Sequence, residues 1–184
     1  MSRETELGND YGTPRVFEAE LPTIDFPPVS RRKHGEVCMA IRRKDGHFLL
    51  HTKGDYPDAV MRLPSGGIKE HEGLEAALLR EVWEETNLEV EIEAFVAVIG
   101  YHDGTNRSEF KSYLFLVHET GGAMMSNDPG ENITEWREVT LGELPAYSQH
   151  LLDISSDWKN WGRFRATAID TLIAHCRNDP DPGA

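Results

Sequence analysis

The chain has 184 residues, of which 19 are Lys or Arg and 32 are Asp or Glu, so its formal net charge is −13. This length suits one domain with a full core and a modest extension, and it argues against two domains. The acidic excess repels polyanions, which excludes duplex nucleic acid as a partner but leaves room for a small phosphorylated ligand at a local cluster of cations.

The cysteine content and the N-terminal sequence indicate the cellular compartment in which the protein is expected. Cys38 and Cys176 are the only cysteines, and they show neither CxxC nor Cys/His spacing, so the sequence indicates no zinc site and no disulfide framework. The start, MSRETELGND, lacks the apolar stretch of a signal peptide, and no apolar run approaches the ~18 residues of a membrane span. We therefore expect a soluble cytoplasmic protein with no membrane association.

The N-terminal part, residues 1–34, mixes Pro, Gly and charged residues and is expected to be an extension of the domain. Its one strand-like piece is VFEAEL, residues 16–21. Such an extension covers either its own domain or a partner subunit, so a homodimer is one expectation.

Residues 35–177 are expected to form the domain itself. The segments 36–43 and 47–53 flank Lys44-Asp45-Gly46, an Asp-Gly turn signature that predicts a β-hairpin. Residues typical of strands, such as Val, Ile, Phe and Tyr, predict further strands at 89–93, 94–101, 109–118 and 133–139.

The C-terminal part predicts one long helix that closes the sheet, followed by a disordered tail at 178–184. From residue 157 onward apolar residues recur every three or four positions, at Trp161, Phe164, Ala168, Leu172 and Cys176. Strands on both sides of the helix described next indicate an α/β fold.

A predicted helix at about 71–86 carries acidic residues on its apolar side. Its apolar stripe, at ~100° per residue, consists of Leu74, Ala77, Leu78 and Val82. Glu81 and Glu85 lie in the same stripe, with Glu84 beside it. Neighbouring carboxylates repel by about 0.2–0.5 kcal/mol per pair, and at the C-terminal end of a helix each is disfavoured by a further ~0.3–1 kcal/mol. The cluster therefore needs a compensating cation.

A hard divalent ion, Mg²⁺ or Mn²⁺, would offset these penalties, because clustered carboxylate oxygens are its preferred ligands. The alternative is a solvated acidic helix end in which Arg80 and Glu84 form an ordinary surface pair. The preceding turn, Pro64-Ser65-Gly66-Gly67, favours the metal site because its glycines let backbone approach a ligand or an ion closely.

The stretch from Gly66 to Leu88 resembles the Nudix box, in which Gly, five residues, Glu and seven residues precede R-E-U-x-E-E-x-G-U, where U is aliphatic. The matching positions are Gly66, Glu72, Arg80, Glu81, Val82, Glu84, Glu85 and Leu88. Asn87 stands where the family has Gly. Since Asn is the residue next most tolerant of a left-handed backbone, we expect the helix cap to survive.

This resemblance implies a Nudix-type α/β/α sandwich with a mixed β-sheet between helices. It also implies Mg²⁺- or Mn²⁺-dependent hydrolysis, by metal-activated water, of the diphosphate linkage in a nucleoside diphosphate joined to another moiety.

Roles follow residue by residue from the resemblance. Glu84 and Glu85 become metal ligands, and Glu81 becomes a ligand or the base that deprotonates water. Arg80 orients these carboxylates, and Gly66 offers its carbonyl to the metal. The remaining acid of the box, Glu72, is expected in the first turn of the helix, where it complements the dipole.

Residues outside the box are candidates for substrate contact. Arg62 precedes the glycine turn and has the geometry to bind a phosphate, with a surface ion pair as the alternative. Arg107 lies in a polar loop, where solvated charge is the alternative. Glu135, or nearby Glu131, would add an acid to the metal cluster by similarity to related folds, although an edge strand also carries exposed glutamates.

Two other function classes stay open. One is a Nudix-like domain that binds a nucleotide and regulates without hydrolysis. The other is an isomerase of prenyl diphosphates, which would convert isopentenyl diphosphate without loss of phosphate. The complete set of acids favours the hydrolase over both.

Overall fold

The computed structural model describes residues 3–21, 35–57, 60–102, 110–127, 130, 132–155 and 157–178. Its elements in chain order are α1 (Arg3–Tyr11), β1 (Arg15–Glu20), β2 (Glu36–Arg42), β3 (Phe48–Lys53), β4 (Ser65–Gly67), α2 (Leu74–Thr86), β5 (Leu88–His102), β6 (Phe110–Gly122), β7 (Ile133–Val139), α3 (Leu144–Leu152) and α4 (Lys159–Asn178). Among these helices none is long and apolar enough to cross a bilayer.

The strands form one mixed sheet in the order β1-β5-β6-β2-β3-β7, with β4 paired to β2 beside this path. The β1/β5 and β2/β6 pairs are parallel, whereas β5/β6, β2/β3, β2/β4 and β3/β7 are antiparallel. Along one edge of β2, β4 pairs with its first three residues and β3 with its last residue, Arg42. The glycine turn is therefore built into the sheet as the strand β4.

Helices cover both faces of the sheet, which confirms the predicted α/β/α sandwich. Successive residues of a strand point to opposite faces, so Val37 and Met39 of β2 join the core under α2 while Cys38 and Ala40 join the core under α4. The predicted stripe of α2 is buried throughout, at Leu74, Ala77, Leu78 and Val82. Full burial of a Leu or Val side chain stabilises the fold by about 1.5–3 kcal/mol.

The local patterns give the right elements with shifted ends. The hairpin of β2 and β3 is confirmed, with residues 44–46 in its turn. The predicted strands 89–93 and 94–101 are one strand, β5, whose first half is partly solvated and whose second half is buried. Helix α2 begins at Leu74 instead of 71, because His71 has a positive φ of 64° and Gly73 is extended. Sequence patterns gave no prediction for α1, β4 and α3.

The strand-like piece near the N-terminus is found as β1. It lies parallel to β5, from Arg15 opposite Ala97 to Glu20 opposite His102, and its Phe17 contacts the core under α4. This segment therefore extends the sheet of its own chain, and the homodimer stays a prediction.

The C-terminal end of α2 is capped as predicted. Asn87 adopts the left-handed conformation, with φ 57° and ψ 19°, and its N–H donates to the carbonyl of Trp83 at 2.9 Å. The loop after β6 adds two donors, since the Met125 N–H donates to the Thr86 carbonyl at 3.0 Å and the Asn127 N–H to the Glu84 carbonyl at 2.8 Å. Three of the last four carbonyls of the helix, those of Trp83, Glu84 and Thr86, are thus satisfied by protein groups.

We expect Gly and Ala to rank in opposite order at two positions of this helix. A left-handed backbone costs alanine about 1–2 kcal/mol but suits glycine, so Asn87→Gly should unfold at a higher temperature than Asn87→Ala. At Ala76, exposed on the same helix, glycine has the lower helix propensity, so Ala76→Gly should unfold below the parent. Thermal melts followed by circular dichroism measure both. Equal melting of the two Asn87 variants would contradict the left-handed cap.

Candidate active site

Glu81 and Glu85 lie on the buried face of α2, as predicted, with 7% and 0% of their surface exposed. Glu84 lies three residues after Glu81 and its side chain is 28% exposed. Because residues three and four apart are neighbours on a helix, the side chain of Glu81 neighbours those of Glu84 and Glu85 on this side of α2. Burial of this much negative charge requires compensation.

Gly66 of β4 lies directly against the Glu81 carboxylate. A Cβ atom at position 66 would lie 1.8 Å from the carboxyl carbon of Glu81 and 2.0 Å from its Oε2. Any side chain at position 66 would displace Glu81. Glycine thus permits a close approach here between the backbone and the Glu81 carboxylate, and the predicted approach to a ligand or an ion stays a prediction. Use of the Gly66 carbonyl as a metal ligand stays a prediction.

Arg80 holds this group together. Its Nη1 donates to Glu81 Oε1 and to Glu84 Oε2, both at 2.8 Å. Its Nε and Nη2 donate to the two oxygens of Glu72 at 2.6 and 2.8 Å, and Nη2 also donates to the Gly67 carbonyl at 3.0 Å. These charge-assisted bonds tie the helix, the bend before it and β4 to one guanidinium.

Two sequence-based interpretations need correction here. The acids of α2 are not an uncompensated cluster that requires a metal ion, because Arg80 supplies a positive partner within the protein. The alternative of an ordinary Arg80–Glu84 surface pair is also wrong, because the same Nη1 bridges to buried Glu81 and the Arg80 side chain is only 18% exposed. The role predicted for Arg80, the orientation of carboxylates, agrees with these contacts.

Glu72 does not occupy the first turn of the helix, which begins after it at Leu74. Its carboxylate accepts two hydrogen bonds from Arg80 and one from the Lys69 N–H at 2.9 Å. The hydrogen bonds from Arg80 lower the pKa of Glu72 from 4.5 to about 2. Glu72 therefore anchors Arg80, and the dipole role predicted for it is wrong because the backbone bends away from the helix at this point.

Arg62 is buried, with 1% of its surface exposed, so the surface ion pair considered for it is wrong. Its Nε donates to Tyr56 Oη at 2.8 Å, and its Nη1 donates to the Leu63 carbonyl at 2.7 Å and to Ser65 Oγ at 3.1 Å. Burial lowers the pKa of Arg62, but Tyr56 and Glu85 act in the opposite direction and the net shift is upward. Arg62 thus provides positive potential at the buried acid Glu85.

Sequence patterns did not single out a buried pair beside β4. Glu36 and Arg165 are 1% and 5% exposed, and Arg165 Nη1 donates to Glu36 Oε1 at 2.9 Å. The available signal was a charged residue within an apolar pattern, since Glu36 opens the buried strand β2 and Arg165 follows Trp161 and Phe164 on the apolar side of α4.

Of the remaining candidates, the structure describes only Glu135. Glu135 is exposed on the edge strand β7, where it forms an ion pair with Arg137 of the same strand. Arg107 and Glu131 lie outside the described residues. Contact of any of these three with substrate or metal stays a prediction.

The donor set fits a hard divalent cation in its chemistry, because carboxylate oxygens are ligands that Mg²⁺ and Mn²⁺ prefer. Glu81 and Glu84 already converge on one positively charged nitrogen of Arg80. Within the described part of the chain, no three His, Cys, Asp or Glu side chains are arranged to hold an ion as they stand. Glu81, Glu84 and Glu85 are the residues that would hold it.

We expect Glu72→Gln to destabilise the protein at neutral pH and to destabilise it less in acid. The folded-state pKa of Glu72 is depressed from 4.5 to about 2, so its stabilisation is present above pH ~4.5 and is lost as the pH falls towards 2. We expect Glu72→Gln to lower the free energy of unfolding by about 2 kcal/mol at pH 7. This is less than the full pKa shift implies, because the Glu72 side chain is 14% exposed and solvent screens its charge.

Urea unfolding in chelator, at pH 7 and at pH 3, measures this difference. Glu70→Gln is the control, because the side chain of Glu70 is 75% exposed and should contribute little at either pH. A Glu72→Gln deficit that is the same at both pH values would show that the ionised carboxylate does not anchor Arg80.

Solved structures resemble this fold. An ADP-ribose pyrophosphatase from Streptococcus suis has a TM-score of 0.51 at 20% identity, over 77% of this chain and 90% of that one. A NUDIX hydrolase from Nitrosomonas europaea has a TM-score of 0.55 at 21% identity, over 80% and 74% of the two chains. Likeness at such identities shows the fold alone.

Sequence comparison gives the family. An ADP-ribose pyrophosphatase of Methanocaldococcus jannaschii is 27% identical over 122 residues, which are 66% of this chain and 70% of that protein. The family model of the NUDIX domain matches residues 32–158, well over half of the chain. The resemblance carried by Gly66–Leu88 is thereby confirmed, and this chain belongs to the Nudix hydrolase family.

Proposed function

We propose that this protein hydrolyses the diphosphate linkage of a nucleoside diphosphate joined to another moiety, and that it uses Mg²⁺ or Mn²⁺. The observation that carries the proposal is the group of Glu81, Glu84 and Glu85 on one side of α2, two of which Arg80 holds beside Gly66. An oxygen-rich, partly buried group of this kind suits the ions that bind phosphate oxygens.

Hydrolysis of a diphosphate linkage adds water at one phosphorus and breaks its bond to the bridging oxygen, so that two monophosphates result. A bound divalent ion would neutralise charge on the phosphate oxygens and lower the pKa of water. Glu84 and Glu85 are its proposed ligands, and Glu81 is a ligand or the general base that accepts the proton of water. Arg80 keeps the carboxylates of Glu81 and Glu84 oriented.

ADP-ribose is the first substrate to test, because two of the similar proteins are named as ADP-ribose pyrophosphatases. A small nucleotide derivative also agrees with the charge of the chain, since a formal charge of −13 opposes duplex nucleic acid but allows a small anion near Arg80 and a bound metal.

A nucleotide-binding regulator without activity is the second candidate, and a prenyl diphosphate isomerase the third. Burial of Glu85 favours a hydrolase over a regulator. Its surface exposure is 0%, and burial of a carboxylate is expensive, so a domain that only binds a nucleotide gains nothing from keeping it. The isomerase would convert isopentenyl diphosphate and release no phosphate.

A hydrolysis screen tests the proposal. The substrates are ADP-ribose, sugar nucleotides, dinucleoside polyphosphates and oxidised nucleoside triphosphates, each with Mg²⁺ and with Mn²⁺, and the products are separated by chromatography. We expect cleavage between two phosphates and no action on AMP, because charge on both the attacked and the leaving phosphate must be neutralised. Phosphate release from AMP, with every diphosphate substrate intact, would overturn the reaction class.

We expect Glu84→Gln and Glu85→Gln each to lower kcat by at least about two orders of magnitude on the best substrate, because loss of a metal ligand removes stabilisation of the transition state. Glu75→Gln is the matched control, since Glu75 lies exposed in the first turn of the same helix. Circular dichroism should show all three variants folded. Near-parental kcat in the Glu84 and Glu85 variants at limiting Mg²⁺ would remove both residues from the site.

A further inference from the structure

A second group of buried polar residues meets the glycine turn from the other face of the sheet. Glu36 of β2 and Arg165 of α4 are joined by a hydrogen bond of 2.9 Å, although 129 residues separate them in sequence. Glu36 is 1% and Arg165 5% exposed. By the alternation of β2, Glu36 lies on the face of Cys38 and Ala40, which is covered by α4, whereas Glu81 approaches from the face covered by α2.

Ser65 connects this pair to the candidate active site. Its hydroxyl donates to Glu36 Oε2 at 3.0 Å, and its Oγ accepts hydrogen bonds from Arg165 Nη1 at 3.0 Å and from Arg62 Nη1 at 3.1 Å. Ser65 is fully buried. The next residue is Gly66, against which the Glu81 carboxylate packs.

We infer that Arg165 is a positioning residue of the active site, which acts through Glu36 and Ser65 to fix the Gly66 backbone against Glu81. The effect on catalytic activity that this inference predicts rests on the proposed function, whereas the effect on metal binding does not.

The tight contact between Gly66 and Glu81 makes the position of the Glu81 carboxylate sensitive to the position of β4. With no room for even a methyl group between the Gly66 backbone and the Glu81 carboxylate, a small displacement of β4 changes where that carboxylate lies. Polar residues that hold a metal-binding side chain in place typically affect metal affinity or activity by about 10–100-fold, and a residue that acts through Ser65 and Gly66 is expected at the lower end of this range.

The buried pair is poorly explained by stability alone. Desolvation offsets most of the attraction in a buried Arg–Glu pair, and well-packed apolar residues in its place are often as stable or more so. Apart from Ser65 and Ser112, the pair has apolar neighbours, with Cys38 on the same face of β2 and Trp161 and Phe164 on the same helix as Arg165. What the charged pair adds is a fixed orientation for the hydroxyl of Ser65.

The chain offers a matched control for the key variant. Ser112 Oγ donates to Glu36 Oε1 at 2.8 Å, and Ser112 lies opposite Glu36 on β6, away from β4. Both Ser65→Ala and Ser112→Ala therefore remove one buried hydroxyl from the same carboxylate. Only Ser65→Ala removes the hydrogen bonds that join the Glu36–Arg165 pair to the glycine turn.

The experiment measures Mn²⁺ affinity by electron paramagnetic resonance and kcat and KM on the best diphosphate substrate, for the parent and both serine variants, with thermal melts to confirm folding. We expect Ser65→Ala to weaken Mn²⁺ binding by about tenfold and to lower kcat more than it raises KM. Ser112→Ala should stay near the parent in all three quantities. Equal behaviour of the two serine variants overturns the inference and leaves Ser65 a structural residue.

Arg165→Lys tests whether Arg165 acts through Ser65. If it does, Arg165→Lys weakens Mn²⁺ binding in the parent but adds nothing in the Ser65→Ala background. Additive losses overturn that route, and if the lysine variant does not fold, the comparison of Ser65→Ala with Ser112→Ala decides alone.

The parent protein separates the failure of this inference from the failure of the proposed function. A parent that binds Mn²⁺ but cleaves no diphosphate refutes the proposed function only, and one that binds no Mn²⁺ refutes both.

Discussion

The acidic end of α2 depends on the guanidinium of Arg80. Its five hydrogen bonds, to Glu72, Glu81, Glu84 and the Gly67 carbonyl, match the five N–H donors that an arginine carries. The planar fork serves three separate carboxylates and a carbonyl at fixed angles, which the compact ammonium group of a lysine cannot do. Without this cation, acids at the negative end of the helix dipole would repel one another and the dipole.

Arg80 and a divalent ion need not exclude one another. Arg80 binds Oε1 of Glu81 and Oε2 of Glu84, one oxygen of each, and an ionised carboxylate has about four lone-pair sites. A cation that binds these carboxylates therefore meets side chains whose torsions are already restrained, so less conformational entropy is lost on binding. On this argument Arg80 prepares the carboxylates for an ion instead of competing with it.

Sequence patterns predicted the features that are fixed by near neighbours in the chain. The left-handed cap at Asn87 follows from the conformational tolerance of one residue, and the stripe of α2 from helical periodicity. The pairing of Glu72 with Arg80 was missed because the chain bends at His71, where φ is 64°, and periodicity does not extend across a bend. Glu36 and Arg165 were missed for another reason, since sequence spacing carries no information on contacts across 129 residues.

The short strand β4 shows why the glycine turn belongs to the sheet. In its pairing with β2, Ser65 lies opposite Cys38 and Gly66 opposite Val37, so alternation directs Ser65 to the face under α4 and Gly66 to the face under α2. One residue therefore contacts the buried Glu36–Arg165 pair and the next contacts Glu81. An irregular loop would leave those two directions unspecified, whereas a paired strand fixes both through the same backbone hydrogen bonds.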